Sequence, residues 1–161
     1  MQAITKGTYI LMIAMVAWAV LLGGIVYSNA FVMPAFLADL PASSSVVNGP
    51  YPVNEAPFWM VIHPTVILLT VLSLIVNWRN VTRRKLLSIS LAVYVVVLVV
   101  TGLYFVPELL TFAAGSQSNV ADGELAARAA NWRFFSWIRA GVMFAIFIPV
   151  LFAIVSREDE R

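Results

Sequence analysis

Four stretches of this chain, at about 9–33, 58–78, 86–112 and 131–155, are almost wholly apolar. Each has the roughly 20 residues that cover about 30 Å of hydrocarbon at about 1.5 Å per residue. Inside a bilayer every backbone N–H and C=O has to be bonded within the segment, so a chain with this pattern folds as helices. The expected fold is all-α: an integral membrane four-helix bundle forming a single domain. Buried helices of a soluble protein would each need a charged face, and none is present. Composition points the same way, with 61% hydrophobic and 11% charged residues against roughly 45–50% and about 25% in an average soluble domain.

The few charges set an expected orientation. Arg79, Arg83, Arg84 and Lys85 stand in one short connection without an acid, which the positive-inside rule assigns to the cytoplasm. An even number of crossings then puts both termini there, with Lys6 before the first helix and Arg157 and Arg161 after the last. The location expected is a bacterial-type cytoplasmic (inner) membrane. The first apolar run is too long for a signal h-region of roughly 7–15 residues, and no A-x-A-like cleavage site follows it, so it reads as a retained helix. The connections facing the other side run from Asp39 to Pro57 and from Ala113 to about Ala130, and the second holds Ser116 and Ser118. Connections of that length often carry function. No basic stripe interleaves with aromatics, which argues against a nucleic-acid partner. The chain has no cysteine, which excludes disulfide exchange, thiolate metal sites and a cysteine nucleophile.

Ionisable or strongly polar side chains at membrane depth cost free energy unless they are paired or face a cavity. Here they are Tyr27, Ser28 and Asn29 in the first helix, His63 in the second, Tyr104 and Glu108 in the third, and Asn131, Trp132, Arg133 and Arg139 in the fourth. Tyr104 and Glu108 are one turn apart and share a face, as do Asn131, Phe135 and Arg139. Counted from the cytoplasmic ends, His63 lies about 21 Å above Asn77 and Arg139 about 25 Å above Ser156, with Glu108 and Asn29 slightly higher. The other halves of the helices are nearly pure Val, Leu, Ile and Ala. One reading is a pocket in the outer leaflet, with His63, Glu108 and Arg139 as catalytic candidates and Tyr27, Asn29, Tyr104, Asn131 and Trp132 as ligand-binding ones. In it His63 is a proton acceptor, Glu108 its acidic partner, and Arg139 with Tyr104 stabilises charge on a substrate oxygen. Arg139 could equally pair with Glu108. The other reading is an interfacial belt, where Tyr, Trp, Asn and Arg gather because their tips reach the headgroups.

A single metal ion could use His63 and Glu108. Zinc wants three or four ligands, so further ones would have to come from Glu55 or Asp39. Bis-histidine haem is excluded by the single histidine. Pro64 beside His63 would bend its helix and free the Met60 carbonyl. Pro34 and Pro107 are expected to redirect the chain near outer helix ends. Gly23, Gly24, Gly102 and Gly141 are expected to let helices approach closely.

Two segments carry a family likeness. Gly24-Ile25-Val26-Tyr27-Ser28-Asn29-Ala30-Phe31-Val32-Met33-Pro34-Ala35-Phe36 resembles the first-helix signature of the DUF1772 family, the anthrone-oxygenase-like membrane proteins. The closing segment Asn131-Trp132-Arg133-Phe134-Phe135-Ser136-Trp137-Ile138-Arg139 resembles the start of that family's last helix. The resemblance covers the four-helix layout and these two motifs, and lands on Asn29, Pro34, Trp132 and Arg139. It implies a multi-pass membrane protein that either is an oxygenase-like oxidoreductase or binds a small apolar or aromatic molecule. The alternative is a non-catalytic accessory or structural subunit, assembling as a homo-oligomer or in a larger membrane complex. A transport path is disfavoured, because the inner helix halves offer no polar track.

Overall fold

The structure, a computed structural model, describes residues 5–115 and 122–156. The C-terminal basic residues Arg157 and Arg161 and the loop serines Ser116 and Ser118 lie outside the described residues. Among the described residues every regular element is helical: α1 (Lys6–Tyr27), α2 (Met33–Phe36), α3 (Ser45–Asn48), α4 (Ala56–Val76), α5 (Val81–Val100), α6 (Val106–Ala114) and α7 (Asp122–Val155). Two π-helical segments, Ser28–Val32 and Thr101–Phe105, join α1 to α2 and α5 to α6 without a break. Four helical runs, Lys6–Phe36, Ala56–Val76, Val81–Ala114 and Gly123–Val155, are long and apolar enough to cross a membrane. They extend beyond the apolar stretches in the sequence because polar ends such as Gly123 to Ala130 also stay helical.

The two π segments share one cause. Each is five residues long and ends two positions before a proline, Pro34 or Pro107. Proline lacks the N–H that would bond the carbonyl four residues back, and its ring collides with that carbonyl. A locally wider turn accommodates the ring: Met33 N–H donates to Ser28 O and Val106 N–H to Thr101 O, a five-residue step in both cases. The prolines therefore widen the helices instead of ending them.

By its internal contacts the chain divides into two compact units. One comprises Met1–Gly23, Pro57–Val96 and Val142–Arg161. Its centre is Trp18, fully buried against Tyr94 (ring centroids 5.0 Å apart) and Phe147 (6.0 Å), with its indole N–H donating to Thr70 Oγ1 at 3.0 Å. At one end of this unit Arg83 is buried. Its Nη1 donates to Asn77 Oδ1 (2.9 Å) and Thr8 Oγ1 (3.1 Å), and its Nη2 to Ser156 O (3.2 Å). One guanidinium thus ties α5 to α1 and to the residues that follow α4 and α7. Asn77 also donates to Gly7 O and Ser73 O. It comes so close to α1 that a Cβ on Gly7 would sit 2.6 Å from its Oδ1. Of the basic residues in that connection, Arg83 is a structural tie, whereas Arg84 lies over the Trp78 ring at 5.2 Å.

The second unit, Gly24–Ala56 and Val97–Gly141, has its own apolar core of Val32, Met33, Phe36, Leu37, Leu40, Phe105, Phe112, Leu125, Ala129 and Trp132. The loop after α2 is fastened to the end of α6, where Asn48 Nδ2 donates to Ala113 O. Gly115 closes α6 at φ 55°, a conformation that favours glycine. A Cβ there would also meet Ser44 Oγ at 2.6 Å.

The close-packing expectation for Gly23, Gly102 and Gly141 is corrected: among the described residues a Cβ at any of them meets nothing within 4 Å. These glycines face open surroundings, and the close approach is at Gly7. Hence Gly7→Ala should lower unfolding stability in mild detergent by about 1–2 kcal/mol, since Asn77 is displaced from bonds it makes while buried. Gly23→Ala should be neutral or stabilising by up to about 1 kcal/mol through helix propensity. Thermal unfolding of the two variants side by side checks both signs.

Candidate functional site

The second unit gathers polar side chains around Arg139. Trp132, Ser136 and Ala140 recur on the buried face of α7, at the spacing that keeps a helix face in register. Ser136 is fully buried and its hydroxyl donates to Asn29 Oδ1 at 2.7 Å. Asn29, also buried, sits in the first π segment and donates from Nδ2 to Ile25 O at 2.9 Å. Arg139, one turn beyond Ser136, donates from Nη2 to Ser136 Oγ and from Nη1 to Thr101 Oγ1, both at 3.2 Å. Thr101 opens the second π segment, and its hydroxyl donates to Val97 O at 2.7 Å. Below the guanidinium lies the ring of Phe105, 4.1 Å from Cζ to centroid, close enough for a cation–π attraction.

Aromatic rings adjoin this cluster on the Phe105 side. Phe105 meets Trp132 edge-on at 5.6 Å and Tyr104 at 5.0 Å, and Tyr104 meets Phe135 at 6.1 Å. The Trp132 indole N–H donates to Phe105 O at 3.0 Å, fixing α7 against the second π segment. Both π segments therefore deliver residues to the same cluster, Asn29 from one and Thr101 and Phe105 from the other. Such segments within α-helices frequently mark functional sites. Next to Asn29, Ser28 donates to Glu55 Oε2 at 2.8 Å.

Glu108 has a different partner from the arginine considered in the sequence. Both of its oxygens are taken by Arg128, at 3.0 Å from Nε and 2.7 Å from Nη2, and Glu124 lies 3.7 Å from Arg128 Nη1. This two-point geometry is the strong form of an arginine–carboxylate pair, although partial exposure of both side chains limits its contribution to stability. Arg139 makes no ion pair among the described residues. His63 belongs to the first unit, where its Nδ1 is 2.6 Å from the Tyr94 hydroxyl and its ring stacks on Trp59 at 5.6 Å. Among the described residues no group of three or more His, Cys, Asp or Glu gathers as a metal site would require.

Tyr27 and Asn131 do not join the cluster. Tyr27 is 58% exposed beside Phe31, and Asn131 is exposed. Each precedes a buried residue, Ser28 or Trp132, and one helical step of about 100° turns it away. The sequence reading missed Ser136, Thr101, Arg128 and Tyr94. Ser136 was detectable as the fourth residue after Trp132 on one helix face, and Arg128 as a cation in the segment before Asn131. Nothing in the sequence pointed to Thr101 or Tyr94.

No family model, no curated protein and no solved structure matches the chain. The cluster's chemistry therefore rests on its geometry. Replacing Ser136 with Ala removes the partner of Asn29 and one acceptor of Arg139 together. This should cost about 2–3 kcal/mol in unfolding stability. Ser90→Ala, which removes one buried hydroxyl bonded to Ile146 O at 2.8 Å, should cost about 1 kcal/mol. Denaturant unfolding in detergent compares the two serines.

Proposed function

We propose that this chain is a multi-pass membrane protein with both termini on the cytoplasmic side of a bacterial-type inner membrane, and that it binds a small, largely apolar molecule at the Arg139 cluster. The observation that carries this reading is Arg139 itself, a cation inside an apolar helix with neutral hydroxyls and a ring around it and no carboxylate partner among the described residues. An ionisable side chain at membrane depth is by default a functional one. The four rings of Tyr104, Phe105, Trp132 and Phe135 supply an apolar wall. A few placed polar groups within an apolar lining are the usual make-up of a small-molecule site.

Binding is favoured over acid–base catalysis because Glu108 and His63 each engage a partner of their own, Arg128 and Tyr94. The resemblance to DUF1772 proteins agrees with an aromatic ligand. Oxygenase chemistry would in addition need a proton acceptor facing that ligand.

Organic extracts of the protein purified in mild detergent should contain an apolar, oxygen-bearing molecule that is lost, about tenfold or more, from Arg139→Gln. Identical extracts from the two proteins would contradict the reading. A stoichiometric partner chain with no small molecule would replace it with the accessory-subunit alternative. Because the chain has no cysteine, orientation can be read from Ala42→Cys and Thr82→Cys. A membrane-impermeant maleimide should label the first from outside and the second only after the membrane is opened.

A further inference from the structure

We infer that the molecule held at Arg139 is a carboxylate amphiphile, a free acid with an apolar body, and not a neutral alcohol or a phospholipid headgroup. The inference rests on the binding reading above and names the ligand's chemistry. Two of the guanidinium's five N–H groups are used, one on Thr101 and one on Ser136. The remaining ones have no partner among the described residues. The hydroxyl protons point elsewhere: Ser136 donates to Asn29 and Thr101 to Val97 O. Neither hydroxyl can therefore donate to a ligand, and each turns an oxygen to the cation.

The cluster thus offers a ligand a positive charge and N–H donors, with no carboxylate to oppose it. An alcohol could accept a single hydrogen bond there and would leave the charge uncompensated in an apolar setting, which is costly. A carboxylate would cancel the charge and accept two parallel N–H bonds in the guanidinium plane. Phe105 covers one face of that plane, so a carboxylate would have to approach in the plane. Arg139 stands about 25 Å above the Val155 end of α7 at about 1.5 Å per residue. A free acid brings a single chain to lie along the rings of Tyr104, Phe105 and Trp132, whereas a phospholipid would have to bring two.

The test uses the full chain in phosphatidylcholine nanodiscs with two chain-matched photoprobes, a diazirine-bearing palmitate and a diazirine-bearing hexadecanol. Crosslinks are mapped by mass spectrometry. The palmitate probe should label the segments around residues 97–105 and 132–140 about tenfold or more above the alcohol, and added oleate should displace it. Arg139→Gln should abolish the preference, and Thr101→Val, which removes one hydroxyl while keeping the guanidinium, should weaken it. The wild-type comparison of acid with alcohol stands even where a variant fails to fold. Equal labelling by both probes would overturn the carboxylate claim and leave small-molecule binding in place. Labelling by neither would overturn both. Loss of palmitate labelling when the net-anionic phosphatidylglycerol replaces the zwitterionic phosphatidylcholine would assign the site to an anionic phospholipid and overturn the claim for a free acid.

Discussion

A guanidinium cannot lose its proton in a protein, so an arginine inside an apolar helix has to be accommodated as a cation. In this chain the carboxylate that could have neutralised Arg139, Glu108, is bound at both oxygens to Arg128. The charge is met instead by dipoles: two hydroxyl oxygens and the face of Phe105. Much of the second unit follows from that arrangement. Ser136 has to be buried to accept from Arg139. Its proton then needs Asn29, and the Asn29 amide in turn needs the carbonyl of Ile25. A half-satisfied network in a low-dielectric setting is worse than none, and this one closes at every hydroxyl.

Proline makes the geometry available. Pro34 and Pro107 stand at the same offset from their π segments, and the widened turns carry Asn29, Thr101 and Phe105 to the cluster. The local defect and the polar site are therefore one feature viewed at two scales. The first unit obeys the same rule with different residues. There Arg83 is held by Thr8, Asn77 and Ser156 O, and the backbone of Gly7 leaves room for Asn77. Its helices are also less purely apolar than their composition suggests, since buried Thr70, Ser73 and Ser90 lie among the Leu and Val side chains.

The four long helices were legible because the signal for them, about 20 mostly apolar residues with few charges, needs no tertiary information. Their extended ends were not, since polar helical turns such as Gly123 to Ala130 are held by contacts like Leu125 and Ala129 in the core. Arg139 and Asn29 stood out because strongly polar residues are rare in such segments. Thr101 did not, because a hydroxyl in a membrane helix commonly bonds its own backbone and carries no mark of a longer-range partner. Depth alone singles out Tyr27 and Asn131, and depth fixes height while it leaves direction open. The glycines illustrate the same gap: Gly23, Gly102 and Gly141 matched a packing pattern, yet a Cβ would be crowded at Gly7, Gly49 and Gly115 instead.

The central claim is that Arg139 is held inside its helix layer by neutral oxygens and does not reach for the membrane surface. Magic-angle-spinning NMR of the labelled chain in phospholipid bilayers measures this directly, through dipolar contacts from Arg139 Cζ. The account predicts contacts to Thr101, Ser136 and the Phe105 ring, with none to lipid phosphorus. Strong coupling to lipid phosphorus, or to a glutamate carboxyl carbon, with the Thr101 and Ser136 contacts missing, would contradict it.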